Sequence, residues 1–310
     1  MSDDTAFDDA SPIAVVGAGA VATALARRLS ARGAPVRAIL TRNETAARTL
    51  ADRVGAPIAS AEAGALPADI RLVMLCVPDD AISDVSTALA AVSHPWTRTL
   101  VGHTSGARTA EALAPLAQEG ASPFSFHPLQ TFTPDTSPDA FDDIVVGIEG
   151  TPDAVSAGRA LARGLGARPL ALTARDKVLY HCAATLASNG LVALMAVVEE
   201  ILGAADLGDR NTSAVDLMAP LVEQTWGNLA SGTPEGSLTG PVARGDEATV
   251  NRHLDTLRDD APNLVPLYAA LSTEMARTAV RGGQLDADVA ENLLHRLREA
   301  LQSSPSESDS

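Results

Sequence analysis

The stretch Pro12-Ile13-Ala14-Val15-Val16-Gly17-Ala18-Gly19-Ala20-Val21-Ala22 decides the fold. Four apolar residues run into a GxGxxA turn, and a helical pattern follows. The first glycine permits a tight turn. The second lets the backbone approach a pyrophosphate, and the small third residue lets helix pack on strand. The helix N-terminus then offers free N–H groups and the positive end of its dipole to an anion. The expected phosphate contacts are Gly17, Gly19, Ala20 and Val21.

Working outward, the first half alternates strand and helix patterns. Strands are expected at 13–16, 36–40, 72–77, 99–103, 121–126 and 144–148. Helices are expected at 21–32, 44–54, 80–92, 109–118 and 152–165, with a last edge strand at 169–172. Such alternation predicts an α/β fold: a doubly wound Rossmann sheet, parallel and covered by helices on both faces. Beyond Arg175 only helical periods appear, broken by Gly and Pro. Thr173-Ala174-Arg175-Asp176 reads as a capping box opening a long helix. The expected division is a polar, disordered tail over 1–10, the Rossmann domain over 11–172, an all-α substrate and dimerisation domain over 173–302, and a second tail over 303–310.

Composition narrows the partners. The chain has 310 residues and a formal net charge of −16. Such a surface repels nucleic acid and anionic membranes. Apolar residues make up 46%, enough for a sizeable core, although aromatics are only 3%. Cys76 and Cys182 lie far apart in apolar runs, so buried thiols in a reducing compartment are expected. Met1-Ser2-Asp3-Asp4 has no basic signal-peptide start, which fits a cytoplasmic protein. Leu191–Leu202 is strongly apolar but interrupted by Glu199 and Glu200, and reads as a buried helix rather than a membrane span. No metal-ligand spacing is present.

The second strand ends Thr41-Arg42-Asn43. An NAD site usually has an acid here to accept from the ribose 2′-OH. Thr41 and Arg42 instead suit a 2′-phosphate, so NADP(H) is the expected cofactor; a solvated loop arginine is the alternative. Val77 and Pro78 should line the same groove at a strand's carboxyl edge. There Asp79 or Asp80 is a candidate helix cap. His103 and Ser105, one strand further on, should lie near the nicotinamide.

The only lysine, Lys177, opens a helix face that also carries His181, Ala184 and Ser188. At about 100° per residue these fall within roughly 60° of one another. Lys177 and His181 are ~6 Å apart along the axis, and Ser188 lies ~10 Å further. An amine and an imidazole near a helix N-terminus are biased toward their neutral forms, as a proton donor for carbonyl reduction requires. Lys177 and His181 are thus the candidate catalytic residues. Ser188 and its neighbour Asn189 are candidate substrate contacts. So are His127, directed outward by Pro128, and Arg244, in the Gly/Pro-rich loop Leu238–Asp246. Asp246 should cap the helix that follows.

The motifs GAGAVA, VPDDAI, HTSG, HPLQTF, YHCAATLASN and LTGPVARGD, in this order, resemble a family of Rossmann-like proteins with a helical C-terminal domain of unknown function. That family is similar to ketopantoate reductases, pyrroline-5-carboxylate reductases and the 6-phosphogluconate dehydrogenase superfamily. The resemblance implies an NADPH-binding domain, a helical dimerisation domain and a homodimer. Lys177 and Asn189 match the lysine and asparagine types with which ketopantoate reductases contact substrate; His181 has no such counterpart. The implied activity is NADPH-dependent reduction of a small carboxylated carbonyl compound, with a 2-oxo acid such as ketopantoate first. The alternatives are an imine reductase of the pyrroline-5-carboxylate reductase type and a non-catalytic NADP-binding sensor.

Overall fold

The computed structural model describes residues 11–205 and 213–302. The two expected terminal tails lie outside the described residues. The chain divides into two compact units, residues 1–186 and 187–310.

The first unit carries one eight-stranded sheet. Its strands are β1 (Ile13–Val16), β2 (Val36–Leu40), β3 (Ile58–Ser60), β4 (Leu72–Leu75), β5 (Leu100–His103), β6 (Ser122–Pro128), β7 (Val145–Gly150) and β8 (Arg168–Ala171). The order is β3-β2-β1-β4-β5-β6-β7-β8. Helices α1 (Ala20–Ala31), α2 (Glu44–Val54), α3 (Ile82–Ala90), α4 (Ala114–Gln118) and α5 (Pro152–Gly164) connect them.

The alternation of side chains along β1 explains why the strand is apolar throughout. Ile13 and Val15 join one core with α1, α2 and α5 residues, and Ala14 and Val16 join a second with Ile82, Leu89 and Leu116. A central parallel strand buries both faces, so its sequence shows no polar alternation.

The doubly wound sheet follows the expectation with four corrections. The sheet is not wholly parallel, because β7 runs antiparallel to β6. The connection between them is a loop with one short 3-10 turn at Pro138–Phe141, too little to make the crossover that parallel pairing requires. The short edge strand β3 was not anticipated. The helix expected over 109–118 is a 3-10 turn followed by the five-residue α4. Neither Asp79 nor Asp80 caps α3, whose N-cap is Ala81 with no side-chain bond.

Helix α6 (Ala174–Ala204) begins in the first unit and continues into the second. Its start carries the N-cap half of the expected box: Asp176 N–H donates to Thr173 Oγ1 at 3.1 Å, and the Thr173 hydroxyl donates in turn to Asp176 Oδ2 at 2.7 Å. The second unit continues with α7 (Ala214–Ser231), α8 (Pro234–Ser237), α9 (Glu247–Asp260), α10 (Val265–Arg281) and α11 (Ala287–Gln302). Val250, Leu254, Ala276, Leu293 and Leu297 form its core. Asp246 caps α9 as expected, accepting from Thr249 N–H at 3.0 Å.

Two burial expectations fail. Leu191–Leu202 is part of α6, whose most apolar 18-residue window, of mean hydropathy 1.6, is not buried within the chain. Cys76 is buried but Cys182, on the same helix, is exposed. In both cases an apolar sequence predicts that a face is covered but not that this chain covers it.

Candidate active site

The site grows from the carboxyl edge of the parallel strands. The chain leaves β1 toward β2 on one side, and β4 lies on the other, which makes the end of β1 the topological switch point where ligands bind in such sheets. Gly17 N–H donates to Leu40 O at 2.7 Å, and Cys76 N–H donates to Val16 O at 2.7 Å. Gly17 holds φ at +120°, and a Cβ there would collide with the carbonyl of Cys76. Only glycine permits the turn.

A groove of about 570 Å³ opens over this turn. The expected residues Gly17, Gly19, Thr41, Arg42, Val77 and Pro78 all line it. A Cβ added at Gly19 meets nothing within 4 Å. The space before α1 is therefore open to a pyrophosphate, with Ala20 and Val21 in the first helical turn supplying N–H groups. Arg42 is exposed and forms no ion pair among the described residues. Asn43 instead caps α2, accepting from Ala46 N–H at 3.0 Å. These residues fit an adenine dinucleotide, and Arg42 is free for a 2′-phosphate.

Further along the same edge, the loop after β5 is held rigidly. Ser105 N–H donates to His103 Nδ1 at 3.2 Å, and His103 Nε2 bonds Thr109 O at 2.9 Å. Accepting at Nδ1 leaves the proton on Nε2, so His103 is neutral with both nitrogens engaged. Burial pushes it down to about 4. Ser105 Oγ accepts from the N–H groups of Ala107 and Arg108 at 3.2 and 2.9 Å. Both residues are buried, so they shape the loop instead of presenting side chains.

Lys177 is 0% exposed. Its Nζ donates to Ser105 O at 2.8 Å and to Ser125 Oγ at 2.5 Å. Burial lowers its pKa to about 8, against the opposing pull of Glu149 and Asp79. The expected direct proton donor is thus an internal cation that ties α6 to the β5 loop and β6.

His127 and His181 are half-buried, with ring centroids 5.8 Å apart. Both press against Gly106: a Cβ there would lie 2.9 Å from His127 Nε2 and 2.8 Å from His181 Nε2. Burial, then the charge of Lys177, pushes His127 down to about 4. Tyr180 completes the group, its hydroxyl 3.3 Å from His127 Nδ1.

The structure thus brings Lys177, His181 and His127 together with the His103–Gly106 loop. Ser188, Asn189 and Arg244 are exposed residues of the second unit. Sequence reasoning missed Ser125, Glu149 and Tyr180. Ser125 had a signal, since it and His127 are the polar residues alternating with Phe124 and Phe126 along one strand. Glu149 had none: it faces Ser125 across the antiparallel pair and accepts from Ala110 N–H at 2.7 Å.

Residues 6–128 match the family model of a Rossmann-like domain, and residues 144–275 match that of a domain of unknown function, DUF2520. No curated protein matches the chain. Among solved structures it is similar to a putative NADP oxidoreductase, BF3122, from Bacteroides fragilis, with 27% identity over 87% of this chain and 99% of that one and a TM-score of 0.68. It is also similar to protein TM1727 from Thermotoga maritima, with 25% identity over 87% and 98% and a TM-score of 0.69. A reductive aminase from Aspergillus terreus, solved with NADPH and ethyl-5-oxohexanoate, shares the fold at 18% identity over 94% of each chain, with a TM-score of 0.55. The chain therefore joins a Rossmann-like domain to a DUF2520 C-terminal domain, on the fold of NADP-dependent oxidoreductases.

Proposed function

We propose that this chain is an NADPH-dependent reductase of a small carbonyl or imine compound. One observation carries the reading. The glycine-turn groove, with Arg42 at its rim, and the His127–Lys177–His181 group stand along one carboxyl edge of one sheet. Bound in the groove, NADPH would supply a hydride. Around the acceptor, the chain must polarise the carbonyl and supply a proton. The half-buried imidazoles of His127 and His181 are placed to donate. Lys177, with its ammonium spent on Ser105 and Ser125, contributes a buried positive charge that favours a developing alkoxide.

A 2-oxo acid such as ketopantoate is the first substrate to test, with Arg244 as candidate for its carboxylate and Ser188 and Asn189 as further substrate contacts. An imine is the second reading. It is favoured by Asp79 and Glu149, which act on Lys177 and offset its charge, so the group's own field does not reserve it for an anion. The test is NADPH oxidation against a panel of 2-oxo acids and cyclic imines. Consumption with one class assigns it. Tight NADPH binding with no consumption across the panel would favour a sensor and overturn the reductase reading.

A homodimer belongs to the same proposal. Leu186, Val192, Leu221 and Trp226 are 65–71% exposed on α6 and α7. Exposed apolar area on this scale marks an interaction surface, and a second copy of the chain is the proposed cover.

A further inference from the structure

On the antiparallel pair β6–β7, His127 stands opposite Gly147. The ring of Tyr180 fills the place that a side chain at 147 would take: a Cβ there would lie 3.1 Å from Tyr180 Cε1 and Cζ. The tyrosine is thereby aimed at the histidine, with ring centroids 5.6 Å apart and planes 87° from parallel.

The direction of the hydrogen bond follows. Burial keeps the Tyr180 hydroxyl protonated, pushing its pKa up to about 12. A phenol O–H is a stronger acid than a neutral imidazole N–H, and an unprotonated imidazole nitrogen is a better acceptor than a phenol oxygen, so between the two groups the hydroxyl donates. The hydroxyl proton then points to His127 Nδ1, 3.3 Å away. A neutral imidazole that accepts at Nδ1 carries its proton on Nε2. His127 is held neutral by burial and by Lys177. Its Nε2 has no protein partner among the described residues and lies on the ring edge beside Gly106 and His181.

We infer that Tyr180 is a positioning residue that fixes His127 as the Nε2–H tautomer, which makes His127 the donor to the reacting oxygen of the substrate. The second half of this rests on the reductase reading; the tautomer does not. As the carbonyl carbon gains the hydride from NADPH, its oxygen takes the Nε2 proton. The Nε2–H bond breaks while Nδ1 takes the hydroxyl proton of Tyr180, so the imidazole stays neutral throughout. The phenolate regains a proton from water. A phenol, even one raised by burial to about 12, is a stronger acid than an aliphatic alcohol. The proton therefore runs downhill toward the alkoxide. Lys177 is a poorer candidate, because its ammonium is enclosed and already bonded twice.

The test combines 15N NMR of histidine-labelled protein with kinetics. In the free protein at pH 7, His127 should be neutral with Nδ1 unprotonated; Tyr180→Phe should convert it to a mixture of tautomers. The same variant should lower kcat by about 10–100-fold with KM little changed. His127→Gln, which keeps an N–H near the Nε2 position, should retain more activity than His127→Ala. An imidazolium or Nδ1–H tautomer in the wild type overturns the inference, as does a Tyr180→Phe protein with wild-type kcat. Because the NMR arm needs no substrate, a wild type without turnover would sink the reductase reading while leaving the tautomer to be judged by its spectrum.

Discussion

Gly17 and the carbonyl of Cys76 pack so closely that no side chain fits between the end of β1 and the end of β4. Two glycines of one motif therefore respond differently to the same change. Gly17→Ala must both strain a backbone at φ +120° and push β4 aside, so it should lose roughly 2 kcal/mol or more of stability. Gly19→Ala has open space and φ −74°. It should melt near the wild type yet bind NADPH at least tenfold more weakly, because its methyl group occupies the approach of the pyrophosphate. Thermal melts and NADPH fluorescence titrations on both variants separate the two effects.

Arg42 is exposed at the groove with Thr41 beside it. If it grips a 2′-phosphate, Arg42→Ala should remove a charge-assisted contact of about 1.5–3 kcal/mol. NADPH affinity should fall by roughly 10–100-fold while NADH affinity stays within a factor of about two. Equal losses for both cofactors would show that Arg42 does not read the phosphate.

Lys177 predicts a rise of stability in alkali. Its amine falls from 10.5 unfolded to about 8 folded, chiefly through burial. Between those values the unfolded chain binds the extra proton, so stability climbs as pH rises from 8 to 10.5. The full effect is of order 1–3 kcal/mol. Cys76, pushed up to about 12 by burial, works the other way above pH 9. The difference between wild type and Lys177→Met in chemical denaturation across this range isolates the lysine, and it should vanish if the ammonium is solvated.

His103 predicts a loss of stability in acid. Its folded pKa of about 4 lies below the ordinary 6.5, so its contribution is complete above pH 6.5 and disappears as pH falls toward 4. Protonation must also break the bond that Nδ1 accepts from Ser105 N–H. His103→Asn should flatten the stability profile between pH 6.5 and 4.5, read as melting temperatures at half-unit steps.

The apolar faces of α6 and α7 predict self-association. Trp226 is 68% and Val192 71% exposed. Wild type should sediment as a dimer, and Val192→Glu with Trp226→Glu should shift it to monomer without lowering the secondary-structure content. A wild-type monomer, or recovery of the protein with detergent or vesicles, would assign these faces another cover.

How much was legible depends on range. Apolar runs, the glycine turn and the helix cap at Thr173 are local, because a few neighbouring residues fix their own geometry. They determined the alternation of strands and helices in the first half, the groove residues Gly17, Thr41, Arg42 and Val77, and the start of α6. The Lys177–His181 face was local too, as 3.6-residue periodicity places such pairs by arithmetic. What that face touches was not. The tertiary structure alone decided that β7 turns antiparallel, bringing Glu149 opposite Ser125 and Gly147 opposite His127. It decided that Lys177 is enclosed by Ser105 and Ser125, partners 72 and 52 residues away. Strand pairing and burial sum contacts between distant segments, and no local pattern encodes which segments meet. The glycine turn could therefore be read as a dinucleotide site from eleven residues, whereas the change of Lys177 from proposed donor to internal cation required the whole sheet.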